Sequence, residues 1–134
     1  MSLYDALVVA SKRLCEGGPE LITTILGSPR FLGEPRESHL YRIALESITN
    51  AKRHADCTRL NLELRYESNS FRLIVKDDGK GFVFPVLDEP LLTHHWGLIG
   101  MQERAKQCEG QLTITSAPGK GTEIRIDVDL GGET

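Results

Sequence analysis

The sequence has no surplus of positive charge. Sixteen Lys and Arg stand against nineteen Asp and Glu over 134 residues, a formal net charge of −3, and the pI is about 5.8. That excludes the basic footprint of a nucleic-acid binder. No run of about eighteen apolar residues occurs, so the domain is expected to make no direct membrane contact. The N-terminus lacks the basic-then-apolar pattern of a secretory signal peptide. Cysteine is scarce: Cys15, Cys57 and Cys108 are widely spaced, with no C-x-x-C pair. Three reduced thiols in a cytoplasmic domain are expected, not a disulfide framework or a structural metal site. The four histidines have no zinc-ligand spacing. G-x-x-x-x-G-K-[ST] is missing, as are H-R-D and D-F-G, so neither a P-loop nor a serine/threonine kinase catalytic loop is present.

What remains fits one domain, residues 1–134, large enough for its own core. Leu3, Leu7, Val8 and Leu14 among polar positions predict a helix over 3–14, stopped by Gly17-Gly18-Pro19. Residues 21–26 read as a strand and 28–36 as a loop. The strongest helix spans 38–55. Leu40, Ala44, Ser47, Ile48, Ala51 and Ala55 form its apolar face, and Glu46, Asn50 and Arg53 form a polar stripe beside it. Alternation at Leu60, Leu62, Leu64 and Tyr66, then at Phe71, Leu73 and Val75, predicts a hairpin. A patternless stretch from Phe82 to Trp96 suggests a lid, here bounded at 81–97. Leu98, Met101, Ala105 and Cys108 give a further helix an inner stripe, with Gly110 as its stop. Leu112 and Ile114 pair with Ile124, Ile126, Val128 and Leu130 in a last hairpin. Residues 131–134 are expected to be a frayed tail. The fold class is therefore α+β: a two-layer α/β sandwich, its mixed sheet mostly antiparallel, with helices on one face.

Three polar or glycine-rich segments recur in order on different elements: Glu46-Ser47-Ile48-Thr49-Asn50, Asp77-Asp78-Gly79-Lys80-Gly81 and Gly97-Leu98-Ile99-Gly100-Met101. A fourth, Gly119-Lys120-Gly121-Thr122, leads into the last strand. Together they supply what a nucleotide site needs. Asp77 ends an apolar run, and a carboxylate buried there requires hydrogen-bond donors; the exocyclic amino group of adenine is one. A plain Asp-Asp-Gly turn is the competing reading. Asn50 offers an amide oxygen suited to Mg²⁺. Glu46, one turn earlier, could polarise a metal-bound water or stand near the γ-phosphate. Arg53 and His54 could contact phosphate or simply end the helix. Gly97 and Gly100 are read as opening a helix whose free amides favour an anion. The Thr122 hydroxyl could share a water with Asp77.

In this order the segments resemble the catalytic, ATP-binding domain of bacterial sensor histidine kinases, of the Bergerat (GHKL) fold. Residues 41–55 resemble the N box, 77–82 the first glycine box and 95–105 the second, in the form found in kinases paired with NarL-type response regulators. Residues 119–124 resemble the last box. The resemblance implies ATP and Mg²⁺ as ligands, Asp77 reading adenine, Asn50 holding the metal, and Glu46 as the catalytic group. It also implies a pocket shaped by Arg53, His54, Gly79, Gly81, Gly97, Leu98, Gly100, Met101 and Thr122. The implied partners are a dimerisation domain bearing the phospho-accepting histidine, and a response regulator, with membrane anchoring of the parent left open. Asp78 departs from the Asn that many members carry. His39, His54, His94 and His95 all fall within the ATP-binding module, so none is expected to be the acceptor. An anti-sigma-factor-type serine kinase is the alternative; a gyrase-, MutL- or heat-shock-type clamp would need large additional domains.

Overall fold

A computed structural model describes residues 1–82 and 92–131; at 54, 55 and 92–96 only the backbone is described. Helix α1 spans Leu3–Leu14. Ser2 accepts from the Asp5 amide at 3.1 Å, and the Asp5 carboxylate accepts from the Ser2 amide at 3.1 Å. This reciprocal pair satisfies two amides that a helix start leaves without partners. Strand β1 (Glu20–Leu26) follows, then helix α2 (Arg36–Asn50), which continues as a π-helical segment, Ala51–Ala55. Strands β2 (Arg59–Tyr66) and β3 (Ser70–Asp77) form a hairpin. Helix α3 (Leu92–Gln107) precedes a second hairpin of β4 (Gly110–Ser116) and β5 (Thr122–Asp129).

The sheet order is β1-β2-β3-β5-β4. β1 runs parallel to β2, and the other three pairings are antiparallel. The expected mixed, mostly antiparallel sheet is therefore observed. Parity decides which face is buried. Leu60, Leu62, Leu64 and Tyr66 of β2 face the helices with Phe71, Leu73 and Val75 of β3 and Ile124, Ile126 and Val128 of β5. The opposite face carries Glu63, Arg65, Arg72, Arg125 and Asp127, knit by ion pairs such as Arg65–Glu63 at 3.0 Å and Arg72–Asp127 at 2.5 Å. From α2, Leu40, Ile43, Ala44 and Ile48 enter the same core, and from α3 Leu98, Met101 and Ala105.

Several boundaries differ from those the sequence predicts: β1 begins at Glu20 and α2 at Arg36, one and two residues early. α2 ends at Asn50, and the next five residues are π-helical. Hydrogen bonds from i to i+5 turn the chain less per residue than 3.6-residue periodicity assumes. Gly110 does not stop α3: it is the first residue of β4, and Glu109 takes the left-handed turn at φ 58°. α3 itself begins at Leu92, so residues 92–97, expected within the lid, are helical. Residues 83–91 of that expected lid, and 132–134 of the expected tail, lie outside the described residues.

Candidate functional site

The inner face of β3 is apolar at alternate positions until its last one. Phe71, Leu73 and Val75 are followed at the same parity by Asp77, only 6% exposed. Register places Asp77 between Leu60 of β2 and Thr122 of β5, and Thr122 in turn beside Ser116 of β4. One row of the buried face thus changes from apolar to polar where the sheet ends. The Gly79 amide donates to Oδ1 of Asp77 at 2.8 Å. Burial pushes the Asp77 carboxyl above its ordinary range; the Gly79 and Thr122 amides pull it back, and the charge of Asp78 adds to the rise. A carboxylate so enclosed is set to accept further donors.

Glycines let backbone close around this acid. At Gly121, φ is +74° and a Cβ would stand 2.2 Å from the carbonyl oxygen of Asp77; at Gly81, φ is +67° and a Cβ would stand 2.0 Å from the Ala117 carbonyl oxygen. Only glycine fits either place. The strand-end segment is therefore laced to the β4–β5 turn, with Gly119 donating to the Lys80 carbonyl at 2.6 Å and Phe82 donating to Ser116 Oγ at 2.9 Å.

Asp78 points the other way. It accepts from the Thr58 amide at 2.9 Å, the Thr58 hydroxyl at 2.7 Å and the Arg59 amide at 2.9 Å. Those donors, led by Thr58, hold its carboxyl down at about 2. Asp78 thus anchors the start of β2.

A second group of the expected site residues lies where α2 packs against α3. Asn50 is 8% exposed, and its Nδ2 is buried without a hydrogen-bond partner. The two ends of an amide exchange by a half-turn about its last torsion, so the side chain can offer either its oxygen or its nitrogen to a ligand. A Cβ at Gly97 would stand 2.8 Å from Oε2 of Glu46 and 3.7 Å from Nδ2 of Asn50. The absent side chain of Gly97 thus leaves room for the Glu46 carboxylate, while the Asn50 amide lies at ordinary contact distance. Glu46 makes no hydrogen bond or ion pair among the described residues. No group of three or more His, Cys, Asp or Glu able to hold a metal occurs among them either. A hard cation here would depend on Asn50 plus ligands brought with it, which fits Mg²⁺ arriving on a triphosphate.

Several expected members stand elsewhere. Gly97 and Gly100 lie inside α3, not at its start. The unpaired amides of a helix belong to its first turn, here 92–95, so the anion-favouring role expected of the two glycines does not fall on them. Gly100 is exposed, with open space where a side chain would be. Leu98 and Met101 are fully buried within the shared core, and Met101 Sδ of α3 accepts from Ser47 Oγ of α2 at 3.3 Å. Arg53 is exposed on the π-helical segment, with no ion pair among the described residues. The side chains of His54, His94 and His95 lie outside the described residues. Ser116 was missed, although Leu112 and Ile114 put it on the inner face by simple alternation.

The profile of histidine kinase-, DNA gyrase B- and HSP90-like ATPases matches residues 36–132. The chain belongs to this ATPase family. The matched span runs from the first residue of α2 past the end of β5 and takes in every element of the site. Among similar proteins, the histidine-protein kinase/phosphatase DegS of Brevibacillus brevis is 31% identical over 108 residues, covering 81% of this chain and 27% of DegS. The sensor histidine kinase LiaS of Bacillus subtilis is 34% identical over 94 residues, covering 70% of this chain and 25% of LiaS. The chain thus spans about a quarter of the length of these relatives. In fold, this ATPase-family domain is similar to the histidine kinase domain of a blue-light activated kinase from Erythrobacter litoralis. The TM-score is 0.74 at 22% identity, over 97% of this chain and 62% of that one. The histidine kinase AdeS of Acinetobacter baumannii superposes with a TM-score of 0.71 at 15% identity, over 97% of this chain and 64% of AdeS. No helix among the described residues is long and apolar enough to cross a membrane.

Proposed function

We propose that this domain binds Mg-ATP between the Asp77 end of the sheet and the Asn50 face of α2. In a longer sensor histidine kinase it would donate the γ-phosphoryl group to a histidine on a dimerisation domain, for relay to a response regulator. The observations that carry the reading are two buried polar groups of different chemistry, one at the end of β3 and one on α2. Asp77 is a carboxylate held by a glycine amide, and Asn50 an amide with an unpartnered buried end. Asp77 accepts from the amino group of adenine. Asn50 presents its oxygen to Mg²⁺, which brings phosphate charge neutralisation when bound. Glu46 sits one turn before Asn50, where Gly97 leaves it room, and orients a group beside the metal or the γ-phosphate. Arg53 and His54 extend the same helix toward the phosphates. Gly81 and Gly121 hold the backbone close under Asp77, and Gly97 gives access to α2.

Because the accepting histidine would stand on another domain, catalysis here is a matter of positioning and charge. The isolated domain is expected to bind ATP with little turnover. Adding a separately produced dimerisation domain that carries an accepting histidine tests transfer: labelled phosphate should appear on that histidine. ATP bound tightly, with no label passing to any such domain, would remove the kinase role and leave a nucleotide-binding module.

A further inference from the structure

The inner row that carries Asp77 and Thr122 ends on β4 at Ser116, and its hydroxyl is saturated. Ser116 Oγ receives the Phe82 amide at 2.9 Å, lies 3.1 Å from the Gly121 carbonyl oxygen and 2.8 Å from Thr122 Oγ1. A serine hydroxyl has one proton to give and two acceptor sites. The Phe82 amide can only donate, and the Gly121 carbonyl can only accept. With the Ser116 proton on Gly121, the remaining lone pair takes the proton of Thr122. All three contacts are then satisfied, and Thr122 presents lone pairs alone on the side of the row that leads to Asp77.

We propose that Ser116 is a specificity-determining residue: by taking the Thr122 proton it fixes that hydroxyl as an acceptor beside the Asp77 carboxylate. The inference rests on the reading of this cleft as an adenine site and goes one step beyond it. Two adjacent acceptors suit an exocyclic amino group, or a water that bridges to one. An oxo group at the same place, as in hypoxanthine, sets lone pairs against lone pairs. Ser116 touches no base itself; it acts through Thr122, and through Phe82 it ties the same hydroxyl to the segment leaving the strand-end turn.

The test is calorimetric titration of the full chain with Mg-ATP and Mg-ITP, for wild type, Ser116→Ala, Ser116→Thr and Thr122→Val, with melting curves to establish that each is folded. Wild type should favour ATP. Ser116→Ala should narrow the ATP-to-ITP ratio by about threefold to tenfold, the scale of one hydrogen bond, and Ser116→Thr, which keeps the hydroxyl, should restore it. Thr122→Val should narrow the ratio similarly, and Ser116→Ala should then add nothing. Equal weakening of both nucleotides by Ser116→Ala, with the ratio kept, would overturn the inference while leaving the adenine site standing. Should Ser116→Ala fail to fold, an unchanged ratio in Thr122→Val would overturn it just as well. A wild type that binds no ATP, or binds ITP equally, would remove both the adenine site and the inference.

Discussion

Adjacent acids at the end of β3 behave in opposite ways because burial dominates one and hydrogen-bond donors dominate the other. Asp77 is buried with its carboxyl raised, whereas Asp78 accepts three hydrogen bonds at the surface and is held at about 2. Asp77→Asn is expected to keep the fold and weaken Mg-ATP binding by at least about tenfold, the loss of one charged acceptor; titration calorimetry reads it. Asn50→Ala should weaken Mg-ATP far more than metal-free ATP, and equal losses would assign Asn50 a packing role. For Asp78 the sign follows from its depressed folded value. Its stabilisation is complete above about pH 4, the unfolded range, and fades as pH falls toward 2. Asp78→Asn keeps an oxygen for the Thr58 and Arg59 amides, so it should fold normally. Urea melts of wild type and this variant should converge as pH falls from 4 to 2.

At the scale of elements, glycines that look alike in the sequence do different work. Gly121 combines positive φ with a backbone oxygen 2.2 Å from any added Cβ. Gly121→Ala should therefore destabilise the fold by about 2 kcal/mol or more, visible as a lowered melting temperature. Gly97 sits inside α3, where alanine is the better helix former by about 1 kcal/mol. The atom its Cβ would meet is the tip of Glu46, a flexible side chain that can move aside. Gly97→Ala should thus leave the melting temperature within a few degrees of wild type, yet displace Glu46 and reduce phosphoryl transfer in the reconstituted assay. Unchanged transfer would detach Glu46 from catalysis. The π-helical turn after Asn50 is a second element-scale device. It closes with Asp56 in the left-handed region at φ 53°, and the thiol of Cys57 reaches back to the Ala51 carbonyl at 3.7 Å. No glycine or proline marks this stop, so helical periodicity carried the predicted stripe onward through Arg53 and Ala55.

Across the whole molecule, one continuous core joins the sheet to α1, α2 and α3, and Phe71 lies in its midst, 1% exposed with its ring 4.9 Å from that of Tyr66. Phe71→Ala should cost about 3–5 kcal/mol, read by urea unfolding. The order of amino acids was enough to place the main helices and strands, the buried parity of β2, β3 and β5, and the succession of polar segments, because side-chain periodicity is local and survives without neighbours. It also determined which residues were glycine, aspartate or asparagine, and hence what chemistry was on offer. Only the tertiary structure brings Asp77, Thr122 and Ser116 into one row, turns Asp78 to β2, and sets Gly97 against Glu46 and Asn50. Those relations depend on strand register and on how α3 packs against α2, and both are set by contacts between residues far apart in the chain.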